Sequence, residues 1–70
     1  MHQTEIIKAI KKRREILQVT QESLAELSGV SLRTVKAFES GKGNPTLATL
    51  NKLASVLGME LKLDVKIINA

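Results

Sequence analysis

Seventy residues make one small domain, which buries only about 60% of the surface its unfolded chain exposes, so a second copy of the chain is the expected source of added stability. The absence of cysteine excludes a disulfide framework and a thiolate metal site, and no apolar run approaches the ~18 residues of a membrane span. A net charge of +4 and a pI near 9.8 favour a polyanionic partner, with cations at Lys8, Lys11, Lys12, Arg13, Arg14, Arg33, Lys36 and Lys42. For the lysines of the first helix the alternative is a merely solvated basic face.

The opening stretch MHQTEIIKAI has no basic leader ahead of an uninterrupted apolar core, so neither signal peptide nor anchor is expected and the chain reads as soluble and cytoplasmic. Thr4 is the predicted cap of a first helix running to about Gln18, with Ile6, Ile7, Ile10 and Leu17 on one side. Thr20 caps a second, whose apolar face is Leu24, Ala25 and Leu27 and which Ser28-Gly29 stops. A third begins at once behind Ser31, with Val35 and Phe38 as its buried stripe and Val30 packed just ahead of it. Leu32, Arg33, Lys36 and Ala37 are left facing outward until Gly41 closes the helix. The GKGNP segment at 41–45 is a turn, and Thr46 caps a fourth helix built on Leu47, Leu50, Leu53, Ala54 and Leu57 and ended by Gly58.

Beyond Gly58 the pattern changes from a helical period to a period of two. Met59, Leu61, Leu63, Val65 and Ile67 alternate with Glu60, Lys62, Asp64, Lys66 and Ile68, which predicts a half-buried strand. A single strand leaves its backbone unpaired, so its expected partner is the same strand of a second chain, with Leu61, Leu63, Val65 and Ile67 as dimerisation residues. An antiparallel two-fold pair centred on Leu63 sets Lys62 opposite Asp64 and Glu60 opposite Lys66, whereas a parallel in-register pair sets like charges together. Its apolar face is expected to rest on the first and fourth helices. The expected division is therefore residues 1–58 as the helical body and 59–70 as the dimerisation strand.

The polar residues around the second and third helices sort by chemistry. Gln21, at the N-terminus of the second helix, suits a phosphate held by its amide and by free N–H groups, or else a capping role. Lys42, Gly43 and Asn44 in the following turn suit a second phosphate, to which Thr34 adds a hydroxyl. Arg33 and Lys36 match guanine O6 and N7, Leu32 and Ala37 match a thymine methyl, and Ser31 joins the base contacts unless its hydroxyl is committed to the cap.

Gln21, Leu24, Ala25, Gly29, Val30, Ser31, Val35, Phe38, Glu39 and Gly41 resemble the helix-turn-helix of Cro/C1-type regulators. The resemblance reaches Arg14 upstream and Pro45, Thr46, Leu50, Leu53, Ala54, Leu57 and Gly58 downstream, covering roughly residues 8–58. It implies a mainly α, lambda-repressor-like domain of four helices that represses transcription from a double-stranded operator with palindromic half-sites. It also implies that Arg14 and Glu39 form a structural ion pair, the alternative being that Arg14 touches phosphate. Phage repressors often carry Gln where this chain has Leu32 and Arg33, so no operator sequence carries over. The run TLATLNKLASVLGMELKLDV is similar to HipB-like antitoxins, which implies a homodimer closed by an intersubunit sheet, autoregulation of an operon and a HipA-like kinase toxin as second partner. A solitary repressor and a protein-interaction adaptor stay open beside that. The enzyme class has little to recommend it: His2 and Asp64 stand apart, no Gly-rich phosphate loop follows a strand, and no catalytic set, cofactor or metal site is implied.

Overall fold

The computed structural model describes residues 3–63. Among them are four helices, α1 (Gln3–Ile16), α2 (Gln21–Ser28), α3 (Leu32–Glu39) and α4 (Leu47–Val56), with α2 packed on both α3 and α4 and α1 packed on α3. None is long and apolar enough to cross a membrane.

The last three helices start by the same device. The hydroxyl of Thr20 accepts from the N–H of Ser23 at 3.0 Å, that of Ser31 from Thr34 at 3.1 Å and that of Thr46 from Thr49 at 3.1 Å, each satisfying a donor with no partner inside its helix. The helix ends repeat a second device. At the close of α3, the Lys42 N–H donates to the Ala37 carbonyl at 2.9 Å and the Gly41 N–H to Phe38 at 3.1 Å, which requires Gly41 to turn left-handed at φ 80°. The same pair of bonds ends α4 at Gly58, through Met59 to Ala54 and Gly58 to Ser55. It also ends α1, through Val19 to Arg14 and Gln18 to Glu15, although there the left-handed residue is Gln18 at φ 57°.

The core lies where the four helices converge. Ile10, Leu24, Val35, Leu53 and Leu57 are fully buried, with Phe38 against them and Ala25 and Val30 at the margin. Burying a side chain of this size contributes about 1.5–3 kcal/mol. Val30 seals the turn between α2 and α3, so two helices of eight residues each, too short to persist alone, are held by packing.

Several sequence expectations need correction. Thr4 lies inside α1, since the helix is already formed at Gln3, and the helix ends at Ile16 because Gln18 takes the left-handed turn. That end rotates Leu17 out of the core to 42% exposure. Leu27 and Leu47, counted on buried faces, are 67% and 66% exposed. In α2 the inward row is Leu24, Ala25 and the half-buried Ser28, and Leu27 stands off that row. Leu32 and Ala37, both counted as outward, are half-buried, and Leu32 packs against the core cluster.

Residues 59–63 form no strand within this single chain. Lys62 Nζ lies 3.1 Å from Glu60 Oε1, an exposed contact between residues two apart that share one side of the chain. Leu61 is half-buried beside Ile6, Leu47 and Leu50 in a groove of about 490 Å³, while Leu63 at the edge of the groove is fully exposed. His2 and the remainder of the expected strand, including Asp64, Val65, Lys66, Ile67 and Ile68, lie outside the described residues.

Candidate nucleic-acid interface

Three side chains from three helices meet behind α3. Arg14 of α1 donates from Nε to Glu39 Oε2 at 2.6 Å and from Nη2 to Glu39 Oε1 at 2.8 Å, a two-pronged pair with both side chains nearly buried. Its third nitrogen, Nη1, donates to the Val19 carbonyl at 2.8 Å and so ties the α1–α2 connection to the same point. Gln21 Nε2 then donates to Glu39 Oε1 at 3.0 Å. Among the described residues Glu39 is the one charged residue in the core, and every buried side-chain nitrogen or oxygen has a hydrogen-bond partner. The hydrogen bonds that Arg14 donates to Glu39 raise the Arg14 pKa above the ordinary arginine value, against the lowering effect of burial. A raised base contributes stability that is fully present below its unfolded pKa and lost only above it, so Arg14 stays cationic and the clamp holds through neutral pH and well above.

The clamp fixes the back of α3, and the opposite face carries the cations. Arg33 and Lys36 are exposed, while Val35, Phe38 and Glu39 point inward. Arg33, Thr34 and Ala37 line one side of a pocket of about 250 Å³, and Lys42, Gly43 and Asn44 line the other with Pro45. The structure therefore brings Arg33 and Ala37, assigned to base edges, together with Thr34, Lys42, Gly43 and Asn44, assigned to phosphate, whereas Ser31, Leu32, Lys36 and Gln21 do not line this pocket. Gly43 takes φ 81° in this turn, a left-handed conformation that Gly adopts without strain.

Two hydroxyls are less free than the sequence suggested. Ser31 Oγ accepts from the Thr34 N–H and also donates to Thr34 Oγ1 at 2.8 Å, so the cap engages both side chains. Gln21 is similarly engaged, with one amide N–H given to Glu39. An amide has two such donors, and Glu39 is the one side-chain partner of this amide among the described residues. Sequence reasoning missed the Gln21–Glu39 bond, for which the pattern offers no signal, and the bond from Arg13 Nε to the Leu57 carbonyl at 3.0 Å that ties α1 to the end of α4. No group of three His, Cys, Asp or Glu side chains that could hold a metal ion occurs among the described residues.

Two short helices at a Gly turn, the second locked from behind and cationic in front, define a helix-turn-helix. The chain belongs to the helix-turn-helix family, whose profile matches residues 10–63, and within it to the Cro/C1 type, a class of DNA-binding transcription regulators and not of enzymes. Its relatives agree. An uncharacterised helix-turn-helix transcriptional regulator of Methanothermobacter thermautotrophicus is 38% identical over 60 residues, 86% of this chain and 87% of the relative. A second such regulator, from Methanocaldococcus jannaschii, is 38% identical over 53 residues, 76% of this chain and 80% of the relative. The cryptic phage CTXphi transcriptional repressor RstR of Vibrio cholerae is 39% identical over 51 residues, 73% of this chain but 44% of its own length.

Proposed function

We propose that the protein is a sequence-specific repressor that binds a palindromic operator as a homodimer, with α3 in the major groove. The observation that carries this reading is the exposure of Arg33 and Lys36 on α3, with Arg33 lining one pocket together with Lys42, Gly43 and Asn44. Arg33 and Lys36 read guanine, Ala37 and the exposed edge of Leu32 meet thymine methyls, and Ser31 and Thr34 act mainly as cap and support. Gln21, Lys42, Gly43 and Asn44 hold phosphates and set the register. Two copies place their α3 helices one DNA turn apart, about 34 Å, through pairing of the segment that contains Leu61, Leu63, Val65 and Ile67.

Within this reading the protein is a HipB-like antitoxin that represses its own operon and binds a HipA-like kinase toxin. The resemblance of the run from Thr46 to Val65 supports that subgroup, and copurification of a kinase encoded beside it tests it. The DNA contacts are tested by measuring Arg33→Ala and Lys42→Ala against a duplex selected from a random pool and against unselected duplex. Arg33→Ala should lose about 1–3 kcal/mol on the selected duplex alone, whereas Lys42→Ala should weaken both alike. Equal losses on both duplexes for Arg33→Ala overturn the assignment of base reading.

A further inference from the structure

Lys8, Lys11 and Lys12 of α1 are exposed, and neither the clamp nor the pocket accounts for them. The ion pairs among the described residues are Arg14 with Glu39 and Lys62 with Glu60, so these three lysines have no carboxylate within salt-bridge distance there. Glu15, one turn beyond Lys11 and Lys12, is not drawn to either.

The orientation of α1 is fixed on both flanks. On one, Arg14 grips Glu39 at the end of α3, and Gln3 Nε2 lies 3.5 Å from the Gly43 carbonyl oxygen in the turn that follows. On the other, Arg13 bonds the Leu57 carbonyl at the end of α4. With 3.6 residues per turn, Gln3, Ile7 and Arg14 mark the α3 flank and Ile6 and Arg13 the α4 flank. Lys11 comes next beyond the α3 flank, one turn before Arg14, and Lys8 stands one turn before Lys11. Lys12 is further round. Lys11 thus stands about 60° round α1 from Arg14, on the side away from α4, and Lys8 about 120° round and a turn nearer the N-terminus, so the row leads outward from the flank that holds the clamp and Gln21, with Glu15 at its C-terminal end.

We infer that Lys8 and Lys11 form a phosphate-contacting row on α1, which extends the grip on duplex DNA beyond the stretch held by Gln21 and the α3–α4 turn. The inference rests on the DNA-binding reading of α3. A lysine ammonium on a flexible stem suits this use, because it follows a phosphate as a point charge without demanding a fixed geometry. The contact is indifferent to sequence, so its signature is the release of counterions.

The test is the salt dependence of binding to a mixed-sequence duplex of about 30 base pairs, a length that spans two half-sites one DNA turn apart with flanks. It compares the full chain with Lys8→Gln, Lys11→Gln, their combination and Lys52→Gln. Lys52 is an exposed cation on α4, which packs on α2, and so it controls for the bare loss of one charge. The slope of log affinity against log salt should fall by about 0.9 per chain for each of Lys8→Gln and Lys11→Gln, should fall by twice that in the combination, and should stay unchanged for Lys52→Gln. Thermal melting should be the same for all, since none of these lysines has an ion-pair partner among the described residues. An unchanged slope in the double variant overturns the inference and leaves α1 with a solvated face, as do equal falls for Lys52→Gln. Absence of any binding by the unaltered chain removes the DNA-binding reading itself.

Discussion

Glu39→Ala tests the clamp more directly than any other substitution. The carboxylate accepts from Arg14 at 2.6 and 2.8 Å and from Gln21 at 3.0 Å, and its side chain is 3% exposed against 12% for Arg14. Removing it leaves the guanidinium with one bond, to the Val19 carbonyl, in a place that water reaches poorly. Losing one partner of such a pair costs about 3–5 kcal/mol, most of it the penalty of the uncompensated charge. A domain of this size has roughly 4–10 kcal/mol of stability in total, so the variant is expected to be near the edge of folding. At roughly 4–8 °C per kcal/mol, its melting temperature should fall by at least about 12 °C in calorimetry or far-ultraviolet circular dichroism. Replacing both partners, as Arg14→Met with Glu39→Leu, should recover most of the loss, because no unpaired charge is then left. A fall of less than about 4 °C for Glu39→Ala, or a double variant no more stable than the single one, refutes the reasoning.

Two further substitutions probe the ends of the helices. Gln18→Gly keeps the hydrogen bonds that close α1 and removes the strain of a side chain at φ 57°, so it should stabilise by about 0.5–1 kcal/mol despite the greater freedom of Gly in the unfolded chain; a lowered melting temperature counts against it. Ser31→Ala removes the acceptor for the Thr34 N–H and should cost about 1 kcal/mol by denaturant titration, while loss of DNA binding without loss of stability would instead place the Ser31 hydroxyl on a base.

What could be read from the sequence was local. Ser31 with Gly41, and Thr46 with Gly58, announce helix starts and stops through the chemistry of single residues, and the structure uses them so. Gln18 announces nothing, because any residue can be forced left-handed when the chain on both sides is fixed, here by Arg14 holding the Val19 carbonyl. Leu27 and Leu47 were misplaced for a related reason. Apolar spacing gives a face within one helix, while the direction from which the other helices approach decides which edge of that face is covered. Glu39 is the converse case: spacing alone gives no reason to bury a charge, its pairing with Arg14 is implied by the family resemblance only, and the arrival of Arg14 from another helix makes its burial tolerable.

The clamp also bears on how so short a reading helix works. Eight residues do not hold a helix in water, so α3 is ordered because Val35 and Phe38 are buried and because Glu39 is pinned to α1 and α2. Pinning by Glu39 sets the rotation of α3 about its axis, and with it the direction in which Arg33 and Lys36 project, while the same carboxylate orients the amide of Gln21. Base reading and phosphate positioning in the proposed complex are thus referred to one buried carboxylate. Loosening it should weaken DNA binding beyond what unfolding alone explains, since binding then has to restore the order of α3 out of its own free energy. By the reciprocal linkage, operator DNA should raise the melting temperature of clamp-weakened chains wherever it binds the folded form alone.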